Sequence, residues 1–143
     1  MIENILSFLG LALKAGKVEI GEEPVGAVTR AKKARLLLLA QDAAPSSVRR
    51  AMGFAEYGNC LCLIIDADKD ALGGALGRTS CAMCAVTDIG FAATIAEKLA
   101  AIDEPRYGAA ATVIRQKADK MAQRKAEKVR HEKNVKQGKK KSK

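Results

Sequence analysis

Three short, unbroken apolar runs constrain this chain more than any other feature: Arg35-Leu36-Leu37-Leu38-Leu39-Ala40, Cys60 to Ile65 and Cys81 to Val86. The first is too brief for a helix between its neighbours and does not alternate polar with apolar residues, the mark of a strand buried on both faces. The other two read as strands of the same kind. Such strands need helices on both sides, and the intervening segments supply them. Ile5, Leu6, Leu9, Leu11, Ala12 and Leu13 form the crowded face of a first helix ending near Ala15, before the Gly16-Lys17 stop. Gly21-Glu22-Glu23-Pro24 opens a second helix that runs to about Lys32, with Gly for the turn, acids at the positive end of the dipole and Pro in the first turn. Val48 to Tyr57 reads as a third helix stopped by Gly58-Asn59. Asp66 to Asp70 opens a short one around Ala71 to Leu76. Thr87 and Asp88 can cap a last one over Gly90 to Ala101. Strands alternating with helices define an α/β domain. Aromatic residues at 3% with no Trp exclude an aromatic-rich β-sandwich, and 143 residues leave room for one core.

Glu104-Pro105 marks an expected boundary between a domain at 1–104 and a tail at 105–143. The formal charge of +9 is concentrated beyond it. Fourteen of the 25 Lys and Arg lie from Glu104 onward, against four of the 16 acids, so residues 1–103 carry about −1 and the remainder about +10. The tail has few apolar residues beyond Val113, Ile114, Met121 and Val129. It is expected to form a solvated helix held by pairs such as Glu127 with Arg130, with disorder over Gln137 to Lys143. A polycation of this kind points to a polyanionic partner. It lacks the Trp, Phe and Leu face that would insert into a membrane. The first residues carry no positive n-region and no long apolar run, so a cytoplasmic location with reduced thiols is expected.

Enzyme chemistry finds little support. Cys60-Leu61-Cys62 and Cys81-Ala82-Met83-Cys84 imitate a four-thiolate zinc set, but they sit among Leu, Ile, Ala and Val rather than on tight turns, and read as buried free thiols. The only histidine, His131, lies among the tail's charges, so no thiol catalyst is assembled. Asp66, Asp68 and Asp70 alternate like a calcium loop, yet the required Gly and Glu are replaced by Ala71 and Gly77. Leu72-Gly73-Gly74-Ala75-Leu76-Gly77-Arg78 has three glycines but neither a Walker lysine nor a dinucleotide spacing; it makes a close turn that brings Arg78 to the surface. No cofactor, metal or catalytic residue is expected.

Several pieces taken in order carry a resemblance: Lys14-Ala15-Gly16-Lys17, Gly21-Glu22-Glu23, Ala40-Gln41-Asp42 after a buried strand, Leu72-Gly73 with Gly77-Arg78, Ala85-Val86-Thr87-Asp88 and Gly90-Phe91-Ala92. Over about residues 3 to 101 the chain resembles the ribosomal protein L-seven-Ae family, and within it the bacterial YlxQ-like branch. The resemblance implies a three-layer α-β-α sandwich with a small mixed sheet that binds kink-turn RNA, a sharply bent duplex with tandem sheared G·A pairs. It implies that the opening of the second helix, Gly21 to Val25, enters the groove at those pairs. Lys14 and Lys17 would contact phosphates, and Arg30, Lys32 and Lys33 would extend the track. Arg78-Thr79-Ser80-Cys81-Ala82 would cover a flipped-out nucleotide, which makes Cys81 a contact. This chain carries Glu22 and Glu23 without the Asn and Lys that relatives place at this opening; an acidic pair there can accept from a guanine amino group.

The expected protein is therefore a non-enzymatic binder of structured RNA of the translation apparatus, with the ribosome as a candidate partner. It has no membrane association, is expected to be a monomer, and gains non-specific phosphate affinity from its tail. The competing expectation is a protein-interaction adapter of the same fold that does not read RNA through its body.

Overall fold

The computed structural model describes the backbone of residues 1–141 and the side chains of residues 1–131. Four strands, β1 (Val18–Ile20), β2 (Leu36–Ala40), β3 (Leu61–Ile65) and β4 (Met83–Val86), form one mixed sheet in the order β1-β4-β2-β3. β4 runs antiparallel to both β1 and β2, while β2 and β3 are parallel, joined through a helix as a parallel pair requires. The helices are α1 (Ile2–Lys14), α2 (Glu22–Arg30), α3 (Pro45–Gly58), α4 (Lys69–Ala75), α5 (Ile89–Ile102) and α6 (Glu104–Lys141).

The run Leu36–Ala40 is fully buried and sends alternate side chains into two cores. Leu37 and Leu39, with Met83 and Ala85, pack against Val25 of α2 and Ala51 and Ala55 of α3. Leu36, Leu38 and Ala40, with Cys84 and Val86, face Ile5 and Leu9 of α1, Leu72 of α4 and Ile95 and Leu99 of α5. This is the three-layer α-β-α arrangement expected.

Several boundaries differ from those the sequence suggests. Cys60 lies before β3, and Leu61 to Ile64 are half-buried because β3 is an edge strand. β1 is a strand that the sequence does not announce. α3 starts at Pro45, which sits in its first turn, three residues before the expected Val48. Asp88 caps α5, its carboxylate accepting from the Phe91 N–H at 2.9 Å. Asp68 caps α4, accepting from Ala71 N–H at 2.7 Å. That is the helix-opening role in place of a metal loop, and each cap contributes about 1 kcal/mol.

The charge boundary at Glu104 is not a packing boundary. Tyr107, Ala111, Ile114 and Ala118 of α6 are buried in the core that α1, α4 and α5 share. They recur at steps of four, three and four, one helical face laid on α5. At the β3 edge the Ile64 carbonyl accepts from the Tyr107 hydroxyl at 2.5 Å and from the Arg106 guanidinium at 2.7 Å. Arg106 also pairs with Asp66 at 2.7 Å. The composition implies a tail with no face of its own; instead its first third borrows the body's core. The disorder expected over Gln137 to Lys143 lies outside the residues whose side chains are described.

Candidate nucleic-acid interface

The antiparallel register of β1 and β4 decides which candidate residues meet. Ile20 pairs with Cys84, and the Gly21 N–H continues the ladder to the Met83 carbonyl at 3.1 Å. The opening of α2 and the loop leading into β4 therefore lie side by side at one end of the sheet, where β2 and β3 also finish. Arg78, Thr79 and Ser80 are exposed on that loop. Gly21 has φ +94, a conformation that favours glycine, and it turns the chain from β1 into α2. With glycine at this position no side chain caps the helix. The Glu22 and Glu23 amides therefore belong to the unpaired first turn, while Pro24 has no N–H to satisfy. Such an opening offers donors and a positive dipole end to an acceptor.

The loop is fixed from beneath. Gly73 of α4 lies so close to it that a Cβ there would come within 2.7 Å of the Ser80 Cα and 2.8 Å of its N. The Arg78 N–H donates to the Gly73 carbonyl at 2.7 Å, and Cys81 N–H to the Lys69 carbonyl at 3.0 Å. Cys81 itself is only 4% exposed, its thiol donating to the Met83 carbonyl at 3.1 Å. It packs in the core and is no surface contact as the protein stands.

Charge at this end is mixed. Glu22 forms an ion pair with Arg50 of α3. Arg30 reaches back along α2, its guanidinium 3.1 Å from where a Gly26 Cβ would lie, and lines a groove with Glu22, Glu23, Arg50 and Phe54. One of the two acids is thus answered by a cation, and the groove between α2 and α3 presents Arg30 and Arg50 beside Glu23. Sequence reasoning does not single out Arg50; the signal that could find it is its place one turn into α3, near the same end of its helix as Glu22 in α2.

Other candidates lie elsewhere. Lys17 is held at the opposite end of the sheet, its carbonyl accepting from Thr87 N–H at 2.9 Å. Four steps of extended chain separate it from Gly21 by about 13 Å. Lys33 is also at that end, in the turn between α2 and β2. Lys14 borders a groove between α1 and α4 that includes Leu76 and Gly77, next in the chain to Arg78. The structure therefore sets Gly21 beside the start of β4, into which Arg78, Thr79 and Ser80 lead, and gathers Glu22, Glu23 and Arg30 on one groove; Lys17 and Lys33 stand apart from both.

Among the described residues no group of three His, Cys, Asp or Glu side chains is placed to hold a metal ion. Burial pushes the Cys62 thiol up to about 12, and its interaction with the Cys81 thiol, together with burial, pushes Cys84 well up too. These thiols stay protonated near neutral pH. No described helix is long and apolar enough to cross a membrane.

No family model matches the chain, and no curated protein matches its sequence. Solved structures do. A protein of unknown function from Bacillus halodurans superimposes with a TM-score of 0.61 at 26% identity, over 65% of this chain and 93% of that one. The Giardia lamblia 15.5-kD RNA-binding protein superimposes with a TM-score of 0.55 at 20% identity, over 64% of this chain and 78% of that one. The chain shares its α-β-α fold with both.

Proposed function

We propose that this chain binds structured RNA, without catalysing a reaction on it, through the opening of α2 and the loop Arg78–Ala82. The observation that carries the reading is the ladder bond from Gly21 N–H to Met83 O, which sets an uncapped helix opening beside an exposed basic loop. Phosphates would meet the Glu22 and Glu23 amides, Arg78, Arg30 and Arg50. The free carboxylate of Glu23 would accept from a base amino group, and the loop would cover an unstacked base. A solved RNA-binding protein with this fold supports the reading, as does the resemblance in sequence to kink-turn binders of the translation apparatus. The preferred RNA is a bent duplex of kink-turn type, met in the cytoplasm and on the ribosome, by a monomer. Residues 1–104 select it and the cations of residues 105–143 add salt-dependent affinity.

Binding isotherms for a kink-turn RNA and a straight duplex of equal length test this. Arg78→Glu is expected to weaken kink-turn binding about tenfold or more, the worth of one or two charge-assisted contacts, and to leave the straight duplex little changed. Lys17→Glu, at the far end of the sheet, is expected to cost less than Arg78→Glu. Equal affinity of the wild-type protein for both RNAs would remove the proposed selectivity and favour an adapter that does not read RNA through its body.

A further inference from the structure

At the other end of the sheet, away from the opening of α2, lies a hollow of about 360 Å³ between the α2–β2 turn, the end of α3 and the middle of α6. Its lining includes Lys32, Arg35, Lys117, Lys120 and Arg124, and no carboxylate among the described residues. Three other arginines of the folded body are neutralised by acids: Arg50 pairs with Glu22, Arg106 with Asp66 and Arg115 with Glu97. None of the five in the hollow is ion-paired among the described residues.

Two of them are nonetheless held in place. The Lys32 ammonium donates to the Tyr57 carbonyl and sits 4.2 Å from the centre of the Tyr57 ring, while Lys117 Nζ lies 3.5 Å from the Asn59 carbonyl. These bonds satisfy the carbonyl end of α3 and leave both charges unneutralised. Capping that helix end accounts for two lysines; it does not account for Arg35, Lys120 and Arg124 gathered on the same hollow. Arg35 and Lys117 both act on the Cys60 thiol at the wall, pulling down a pKa that burial raises, so their charges converge there.

The spacing on α6 adds direction. Lys117, Lys120 and Arg124 recur at three and four residues, a single row of cations about 4.5 to 6 Å apart along the helix axis. All three line the hollow, so the row runs along its α6 wall. An open hollow walled by a row of cations suits a linear polyanion better than a compact one.

We propose that this hollow is a second phosphate-binding site, which takes the sugar-phosphate backbone of an RNA strand at the end of the sheet opposite to the α2 opening. It rests on the reading above only in taking RNA as the polyanion. One protein would then hold two stretches of RNA at opposite ends of its sheet, with base contacts confined to the α2 end. The basic residues of α6 serve as an ordered track where they face the hollow.

The test uses the full chain, a straight RNA duplex and two triple variants of equal charge. Lys117→Gln, Lys120→Gln and Arg124→Gln together remove the α6 side of the hollow. Lys125→Gln, Lys128→Gln and Arg130→Gln together remove the same charge further along the helix. Gln is a good helix former, so circular dichroism should show an unchanged fold in both. The hollow variant is expected to weaken duplex binding about tenfold more than the control variant at the same salt. Its slope of log affinity against log salt should fall by roughly 2 to 3, about 0.9 for each phosphate no longer neutralised. Alkylation of Cys60, read by peptide mass, should slow when the duplex is bound. Equal weakening in the two triple variants would mean that only net charge matters, and would overturn the site. So would saturation of the hollow by inorganic phosphate at submillimolar concentration, the behaviour of a small-anion site. If the kink-turn RNA and the straight duplex bind alike while the hollow variant still fails selectively, the α2 reading falls and this site stands.

Discussion

A chain ended at Pro105 is expected to lose its cooperative unfolding transition, whereas one ended at Gln123 keeps it. The basic composition beyond Glu104 invites the first cut, but Tyr107 and Ile114 are 3% and 2% exposed in the core beneath α5. Removing a buried Ile side chain alone costs about 2–5 kcal/mol, and this cut removes four residues of the core cluster that includes Leu99 and Ala100 of α5. It also takes away Tyr107 and Arg106, which satisfy the Ile64 carbonyl at the β3 edge, and Arg115, which pairs with Glu97. Against a domain's usual stability of about 5–15 kcal/mol, those changes together are decisive. The cut at Gln123 keeps every one of those interactions and, among the residues whose side chains are described, removes only exposed helix, so its midpoint should stay within a few degrees of the full chain's. Thermal melts followed by circular dichroism separate the two. Equal melting of both shortened chains would contradict the assignment of residues 107–118 to the core.

Gly73→Ala should destabilise the protein by about 1–3 kcal/mol and weaken kink-turn RNA binding, while Gly74→Ala does neither. The added methyl at Gly73 would meet the backbone of Ser80 at 2.7 to 2.9 Å, and backbone cannot rotate away as a side-chain end can. Either α4 or the loop must shift, and that loop carries Arg78 and Thr79. At the neighbouring Gly74 nothing lies within 4 Å of the added methyl, and the helix gains up to about 1 kcal/mol in propensity. Chemical denaturation and RNA titration of the two variants give the comparison. A Gly73→Ala protein as stable and as tight as Gly74→Ala would show that the loop is not braced by α4.

The sandwich is legible in the sequence because it rests on strong local signals. Leu36 to Ala40 can only be a covered strand, and Asp88 and Gly21 announce helix openings where they occur. What stays hidden depends on partners distant in sequence. β1 is three residues, too short for any periodicity, and exists because Val18 meets Val86 across the sheet. The face Tyr107, Ala111, Ile114 and Ala118 is half alanine and lies among charges, so its apolar pattern is faint although its packing is complete. At the site, sequence reasoning names Gly21 to Glu23 and Arg78 to Ser80 but places Lys17 and Lys33 with them. Only the pairing of β4 with β1 and with β2 shows that those lysines stand at the opposite end. Glu22 reads as a bare acid because Arg50 is 28 residues away. The hollow follows the same logic: the spacing of Lys117, Lys120 and Arg124 is visible in sequence, but their meeting with Lys32 and Arg35 depends on where α6 runs across the body.

The proposed function requires that RNA be received at the opening of α2. Backbone amide spectra of the labelled chain, recorded during titration with a kink-turn RNA, address it most directly. The largest shifts are expected at Glu22, Glu23, Val25 and residues 78–82, saturating together with the binding isotherm. Shifts confined to α6 and the α2–β2 turn, with the α2 opening unmoved, would contradict it.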